Sequence, residues 1–355
     1  MKLTYTTIAS WTILINHAIA SPTPPDHRPQ PQLANGIWHD LPPVPQPWQE
    51  GAVAAVGNRV YVIGGITSPS TTAELSAINT TTLVQYFDIV TQTWHDAAPM
   101  PVSINHGNAA SVGGKIYMLG GLSGANMTEW SAIPNSYVYD PTSDSWTEIA
   151  PMPTGTARGA CAIGVQGPEI YLAGGMTTLQ LWEGGLQGSV STVTSYNTAT
   201  DTWTTTYAPL PGPRDHVAGA VLGKKFYVTG GRDHDQFNWK NNTWALDLSD
   251  VSAGWVEKAN MPTARGGLAS ARIGKYLFTF GGEGNPNDPV NMVFDNVEVY
   301  DATKDDWRKL GPMRVPRHGT GAVAVEGKIY VPGGGVKISA SPTDAMSMFD
   351  PWLSK

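Results

Sequence analysis

Lys115-Ile116-Tyr117-Met118-Leu119-Gly120-Gly121 is a short apolar run closed by two glycines, and its plan recurs at Gly64-Gly65, Gly174-Gly175, Gly230-Gly231, Gly281-Gly282 and Gly333-Gly334. The first glycines of the pairs lie 56, 54, 56, 51 and 52 residues apart. A period of about 50 residues belongs to propellers and solenoids. Glycine adopts positive φ and lets a neighbouring backbone approach, so two in succession at a strand's end fix a bend with no side chain in the way.

The rest of the unit repeats around each pair. Downstream come Phe87-Asp88, Tyr139-Asp140, Tyr196-Asn197, Leu246-Asp247, Tyr300-Asp301 and Phe349-Asp350, then Trp94, Trp146, Trp203, Trp255 and Trp307. That spacing suits two strands joined by a tight polar turn, such as Asp140-Pro-Thr-Ser-Asp144. Prolines follow, as in Pro99-Met-Pro101 and Pro151-Met-Pro153. The unit is four strands and a turn. From Trp38 to Phe349 this pattern resembles the kelch repeat, and the resemblance implies a β-propeller. Trp38-His-Asp-Leu-Pro-Pro-Val-Pro45 looks like the second half of a unit, and the C-terminus lacks a clear final strand. The expected fold is all-β: a six-bladed kelch-type propeller of four-stranded antiparallel blades over residues 37–355, closed by the N-terminal strand.

The composition agrees with a turn-rich β protein: 39 Gly and 28 Pro in 355 residues, with 41% hydrophobic and 14% charged. Residues 1–20 read as a signal peptide, with Lys2, a largely apolar stretch from Leu3 to Ile15 and Ala18-Ile19-Ala20 as a cleavage site. Proline-rich residues 21–36 read as a linker. The expectation is a secreted monomer without a membrane span, glycosylated at the sequons of Asn79, Asn126 and Asn241. Cys161, the single cysteine, sits among small residues as a buried structural thiol. A net charge of −7 disfavours nucleic acid and anionic membranes as partners.

In a four-stranded up-and-down blade, the loop entering the first strand and the loop between the second and third strands share one face. The entering loops carry Trp48-Gln49-Glu50, Ile104-Asn105-His106, Arg158, Arg214-Asp215-His216, Arg265 and Arg317-His318. Four arginines, Arg158, Arg214, Arg265 and Arg317, hold equivalent positions, and planar donor forks suit carboxylates. The alternative is that they bond neighbouring carbonyls. His106, His216 and His318 are the candidate acid/base residues. Three imidazoles spread across a channel are too far apart for zinc bonds, so no metal and no cofactor are expected. The inserts after the glycine pairs add rim residues Trp130, Trp182, Trp239, Arg232, His234 and Glu283. Indoles there suit stacking on sugar rings or apolar ligands. Leu179 to Leu186 is either a lid or a loop docked on its neighbour.

Kelch-type iron-dependent specifier enzymes share a Glu-x3-Asp-x3-His loop, which is missing here, since Glu283 is followed by Asp288 and Met292. Nor does this sequence resemble the Cys–Tyr copper site of galactose oxidase. The leading expectation is a binding protein whose mouth takes a small anionic or sugar-like ligand or an acidic peptide, through Trp48, Glu50, the four arginines and the three histidines. The alternatives are a cofactor-free mutarotase, isomerase or cyclase, and an extracellular or cell-wall scaffold.

Overall fold

The computed structural model describes residues 32–68, 79–124, 128–182 and 184–352. The expected signal peptide, most of the linker and Asn126 lie outside them. Six inner strands begin the six principal sheets: Ala52–Val56, Ala109–Val112, Ala162–Gln166, Ala218–Leu222, Ala269–Ile273 and Val323–Val325. Each turns back into an apolar strand that ends at its glycine pair, such as Arg59–Ile63 or Tyr276–Phe280, except Lys115–Ser123, which runs through its pair. The buried small side chains of Ala52, Ala54, Ala110, Ala162, Ala218, Ala220, Ala269 and Ala271 keep the inner strands slim. The inner strands therefore pack in succession, the first on the second and so on, and the sixth on the first.

The expected six equal four-stranded blades closed by the N-terminal strand are corrected by this topology. Among the described residues, five sheets have four strands, one has six and one has three. The sheets are separate and open, and none is closed into a barrel. Neighbours meet through side chains and single loop-to-loop backbone hydrogen bonds, and among the described residues strand pairing crosses from one repeat to the next only at the insert described next. The six-stranded sheet arises because strands Met176–Gln180 and Gln187–Ser189, from the insert of the third repeat, add to the long strand Glu129–Asp140 of the second. The N-terminal strand Leu33–Leu41 pairs antiparallel with Met346–Trp352 at the outer edge of one open four-stranded sheet. It starts at Leu33, so residues 33–36 of the expected linker are strand.

The glycine pairs join one sheet to the next. The second glycine donates its N–H to the entering loop of the following sheet: Gly65 to Ile104 O (2.7 Å), Gly175 to Arg214 O (2.6 Å), Gly231 to Arg265 O (2.9 Å), Gly282 to Arg317 O (3.0 Å) and Gly334 to Trp48 O (2.8 Å). In the second sheet Asn108 Nδ2 takes over, bonding Arg158 O at 2.9 Å.

A second joint lies at the outer strands. The indole N–H of Trp146, Trp203 and Trp307 reaches Ala98 O, Ala150 O and Ala259 O of the preceding sheet at 2.8–2.9 Å. Beside each, one aspartate oxygen accepts both a tyrosine O–H and the same alanine's N–H. Asp201 takes Tyr196 Oη at 2.7 Å and Ala150 N at 2.8 Å. The turn sequence thus carries an inter-sheet clamp. Asp201→Ala removes the acceptor of both hydrogen bonds, and the expected loss is about 1–2 kcal/mol in urea unfolding, with an unchanged m-value.

Among the described residues no helix is long and apolar enough to cross a membrane. Cys161 is buried and free, and burial pushes its thiol up to about 11, as suits a structural residue.

Candidate functional site

The six entering tripeptides are equivalent, and their third residues are Glu50, His106, Ala160, His216, Gly267 and Gly319. All six have positive φ, between 48° and 62°. Their backbones are linked around the axis: Glu50 N to Gly319 O (2.7 Å), His106 N to Glu50 O (2.7 Å), Ala160 N to His106 O (2.8 Å), Gly267 N to His216 O (3.0 Å) and Gly319 N to Gly267 O (2.8 Å). The left-handed turn directs whatever side chain stands there into the central space.

Two cavities of about 460 Å³ each meet at this ring, and Glu50, His106 and His216 line both. The one between the inner strands is lined mainly by Ala, Gly, Val and Ser. The other, formed by the inserts, has a polar floor of Gln49, Glu50, His106, His216 and Arg232 and an apolar wall of Trp130, Leu179, Leu181, Trp182 and Phe237. Trp182 stands half exposed over it, while Trp130 is buried with its indole 5.5 Å from the His106 ring. The strand pairing of Leu179 with Trp130 docks this insert on its neighbour.

At the floor, Glu50 Oε2 lies 3.2 Å from His106 Nε2 and 3.9 Å from His216 Nε2, and the two imidazole nitrogens are 3.0 Å apart. Each ring is oriented from behind. His106 Nδ1 donates to Asn105 Oδ1 at 2.6 Å, while the Asn105 amide is held by Thr80 Oγ1 at 2.8 Å. His216 Nδ1 donates to Asp215 Oδ1 at 2.7 Å, and Asp215 is held by Gln187 and Ser189. The proton of His106 therefore sits on Nδ1 and its Nε2 presents a lone pair, while His216 Nδ1 is shared between the Asp215 carboxylate and the Arg232 guanidinium. Arg232 lies across the His216 ring, with Nη2 2.7 Å from Nδ1 and 2.8 Å from Nε2, and it pairs with Glu283 and Asp215.

Burial drives the His106 imidazole down to about 3, against the pull of Glu50. Burial also pushes the Glu50 carboxyl up, but the surrounding imidazoles, first His106, and the Gln49 amide more than offset this and hold it at about 2. Asp215 is likewise held well below the carboxylate range: His216 and Arg232 outweigh its burial. The ordinary state at neutral pH is an ionised Glu50 beside a neutral His106.

The arginines do not converge on this site. Arg158 and Arg265 are fully buried, and each turns Nε back to the carbonyl of its own glycine pair, to Gly174 O (2.6 Å) and Gly281 O (2.7 Å). Arg265 also pairs with the fully buried Glu298 at 2.5 Å. Arg317 is spent on Val331 O and Ser347, and Arg214 on Pro213 O and Asn242. Trp48 does the same work in the first sheet: wholly buried, it donates Nε1 to Gly64 O at 2.7 Å.

His318 is the second residue of its tripeptide, equivalent to Gln49, Asn105 and Asp215, and so stands behind the ring. Its Nε2 bonds Lys337 O at 2.8 Å, and its Nδ1 lies 3.5 Å from Glu283 Oε2. His234 is exposed at the rim beside Asp233, and Trp239 packs behind Phe237. Of the sequons, Asn79 is exposed, while the Asn241 amide is partly buried and bonded to Met261 O. The sequence reading left Gln49, Asn105, Asp215, Gln187 and Ser189 out of the site. Aligning the tripeptides by their last residue is the signal that finds the first three.

This arrangement, a ring of entering loops over stacked antiparallel sheets, defines a kelch-like β-propeller. The KLHDC2/KLHL20/DRC7 Kelch-repeats domain matches residues 109–334 and the Kelch motif matches residues 49–101. The chain belongs to the kelch-repeat family. It is 38% identical to Kelch-like protein terF of Aspergillus terreus over 358 residues, covering 99% of this chain and 75% of that protein. Identity to Kelch-like protein 36 of Bos taurus is 27%, over 70% of this chain but only 38% of that protein's length. A stretch of 102 residues, 28% of this chain and 25% of the other, is 39% identical to N-acetylneuraminate epimerase of Vibrio cholerae.

Proposed function

We propose that the protein binds a small, uncharged, hydroxyl-bearing ring compound in the insert chamber, with one ring face on Trp130 and Trp182 and its hydroxyls on Glu50, Gln49 and the histidines. The carrying observation is the division of the chamber into an apolar wall and a polar floor. Charge argues against the anionic and acidic-peptide readings, because Arg232 is already paired with Asp215 and Glu283, and Glu50 adds a third carboxylate beside the histidines. Neutral sugars and polyhydroxylated rings are therefore expected to raise the melting temperature and acidic analogues are not. Binding at a hundredfold excess over Kd adds about 2.7 kcal/mol. Trp182→Ala should remove most of that shift. A shift with acids alone overturns this reading.

The convergence of Glu50, His106 and His216 favours a second reading, proton transfer on such a ring. Similarity to an epimerase over a quarter of the chain points the same way. Ligand-dependent exchange of a carbon-bound proton for deuterium from solvent would support it. Export is part of this proposal, resting on Ala18-Ile19-Ala20 and the apolar stretch before it.

A further inference from the structure

The three atoms that converge at the ring form a triangle with sides of 3.0, 3.2 and 3.9 Å. A circle through points so spaced has a radius of about 2.0 Å, the length of a bond from a transition metal to an imidazole nitrogen or a carboxylate oxygen. We propose that Glu50 Oε2, His106 Nε2 and His216 Nε2 bind a divalent transition-metal ion at the ring, where the two chambers meet. The inference concerns the floor of the chamber and does not depend on which organic ligand the chamber takes.

Three further observations support it. Asn105 and Asp215 hold the two imidazoles by their Nδ1 atoms, so both Nε2 atoms and a carboxylate oxygen confront one another. An outer partner that orients each ligand in this way is the usual support of a metal-binding histidine. Next to the triangle, His318 Nδ1 and Glu283 Oε2 are buried without hydrogen-bond partners, and His318 Nδ1 is 3.8 Å from the other Glu50 oxygen. His318 Nε2 faces a carbonyl, so its Nδ1 is a third lone pair turned toward the same carboxylates. Finally, three carboxylates face one guanidinium, a surplus of two negative charges that a divalent cation cancels.

Two imidazoles and one carboxylate suit iron(II), cobalt(II), nickel(II) or zinc rather than magnesium or calcium. Both chambers reach the triangle, so an ion there keeps open positions, as ions in reactive sites do. Arg232 is the competitor: its Nη2 shares the His216 lone pair and must withdraw when the ion enters.

The test is to strip the purified protein with a chelator, titrate it with cobalt(II) and zinc, and count bound ions by dialysis with elemental analysis. One ion per chain is expected, with a visible cobalt absorption shifted from that of the hydrated ion. Glu50→Gln, His106→Gln and His216→Gln should each weaken binding by more than the roughly 10- to 100-fold that loss of an outer partner costs, while circular dichroism reports an intact fold, and His39→Ala, on the exposed outer strand, should change nothing. Arg232→Met should tighten binding by removing the competitor. Should the three substitutions unfold the chain, wild-type stoichiometry and the cobalt spectrum still decide. No stoichiometric ion, equal uptake by the three variants, or magnesium binding as tight as zinc each overturns the proposal. Melting shifts with neutral rings but no metal uptake reject the metal alone. Uptake without ligand shifts rejects the ring-compound reading alone.

Discussion

Glu298→Ala is expected to destabilise the protein by about 3–5 kcal/mol, because it strands a guanidinium that has no access to water. Arg265 and Glu298 are both fully buried and pair at 2.5 Å. The remaining partners of Arg265 are Gly281 O, Thr263 O and Thr279 Oγ1, which carry no charge. Glu298 in turn holds Thr263 Oγ1 at 2.7 Å, so its removal also frees a hydroxyl. Urea unfolding should show a lower midpoint with the slope unchanged. Replacing both partners, as Arg265→Met with Glu298→Leu, should recover most of the loss, since the pair's own net contribution is small once its desolvation is counted. If Glu298→Ala loses less than about 1 kcal/mol, the arginine is not buried as described.

Gly281→Ala should cost at least about 3 kcal/mol, combining a left-handed backbone with a steric overlap. Gly281 has φ 57°, and a Cβ there would collide with the carbonyl oxygen of Arg317. That oxygen is also the acceptor of the Gly282 N–H, so relief of the overlap breaks a joint between sheets. Gly274, at φ 56° with open space around it, provides the control. Gly274→Ala should cost only about 1 kcal/mol, and the difference isolates the collision. Equal losses from the two substitutions would refute the steric account.

The repeat was legible because the glycine pairs, the turn aspartates and the outer tryptophans each act between neighbouring sheets and so recur in phase. Strand pairing beyond that plan was not. The addition of Met176–Gln180 to the strand of the preceding repeat depends on where two inserts meet, and no periodic position records it. The entering loops were identified, but the role of each residue within them was not. Arg158 and Arg265 serve the carbonyls of their glycine pairs, and Arg214 and Arg317 serve other carbonyls and side chains of their own sheets, a structural demand that looks like a binding motif in one dimension. His318 was grouped with His106 and His216, although it follows its arginine by one residue where His216 follows by two. That single step moves a side chain from the central space to the layer behind it. From sequence alone, three histidines in three different repeats stand too far apart for metal ligation. Glu50, one residue into the central space from Gln49, completes a closer triangle.

The positive-φ ring separates what the chain must keep from what it is free to vary. Backbone N–H and C=O groups carry the links between these residues, so the scaffold asks only that each position tolerate a left-handed turn. Chemistry has been installed unevenly on this repeated frame. Glu50, His106 and His216 supply functional groups, and Gly267 and Gly319 leave room, since a Cβ on them would meet His318 Nδ1 and Glu50 Oε1. Ala160 does neither. Its methyl packs beside Leu122, Trp130 and Met176 and lines the chamber between the inner strands, so the same backbone turn that presents an acid or a base at one position presents plain wall at another.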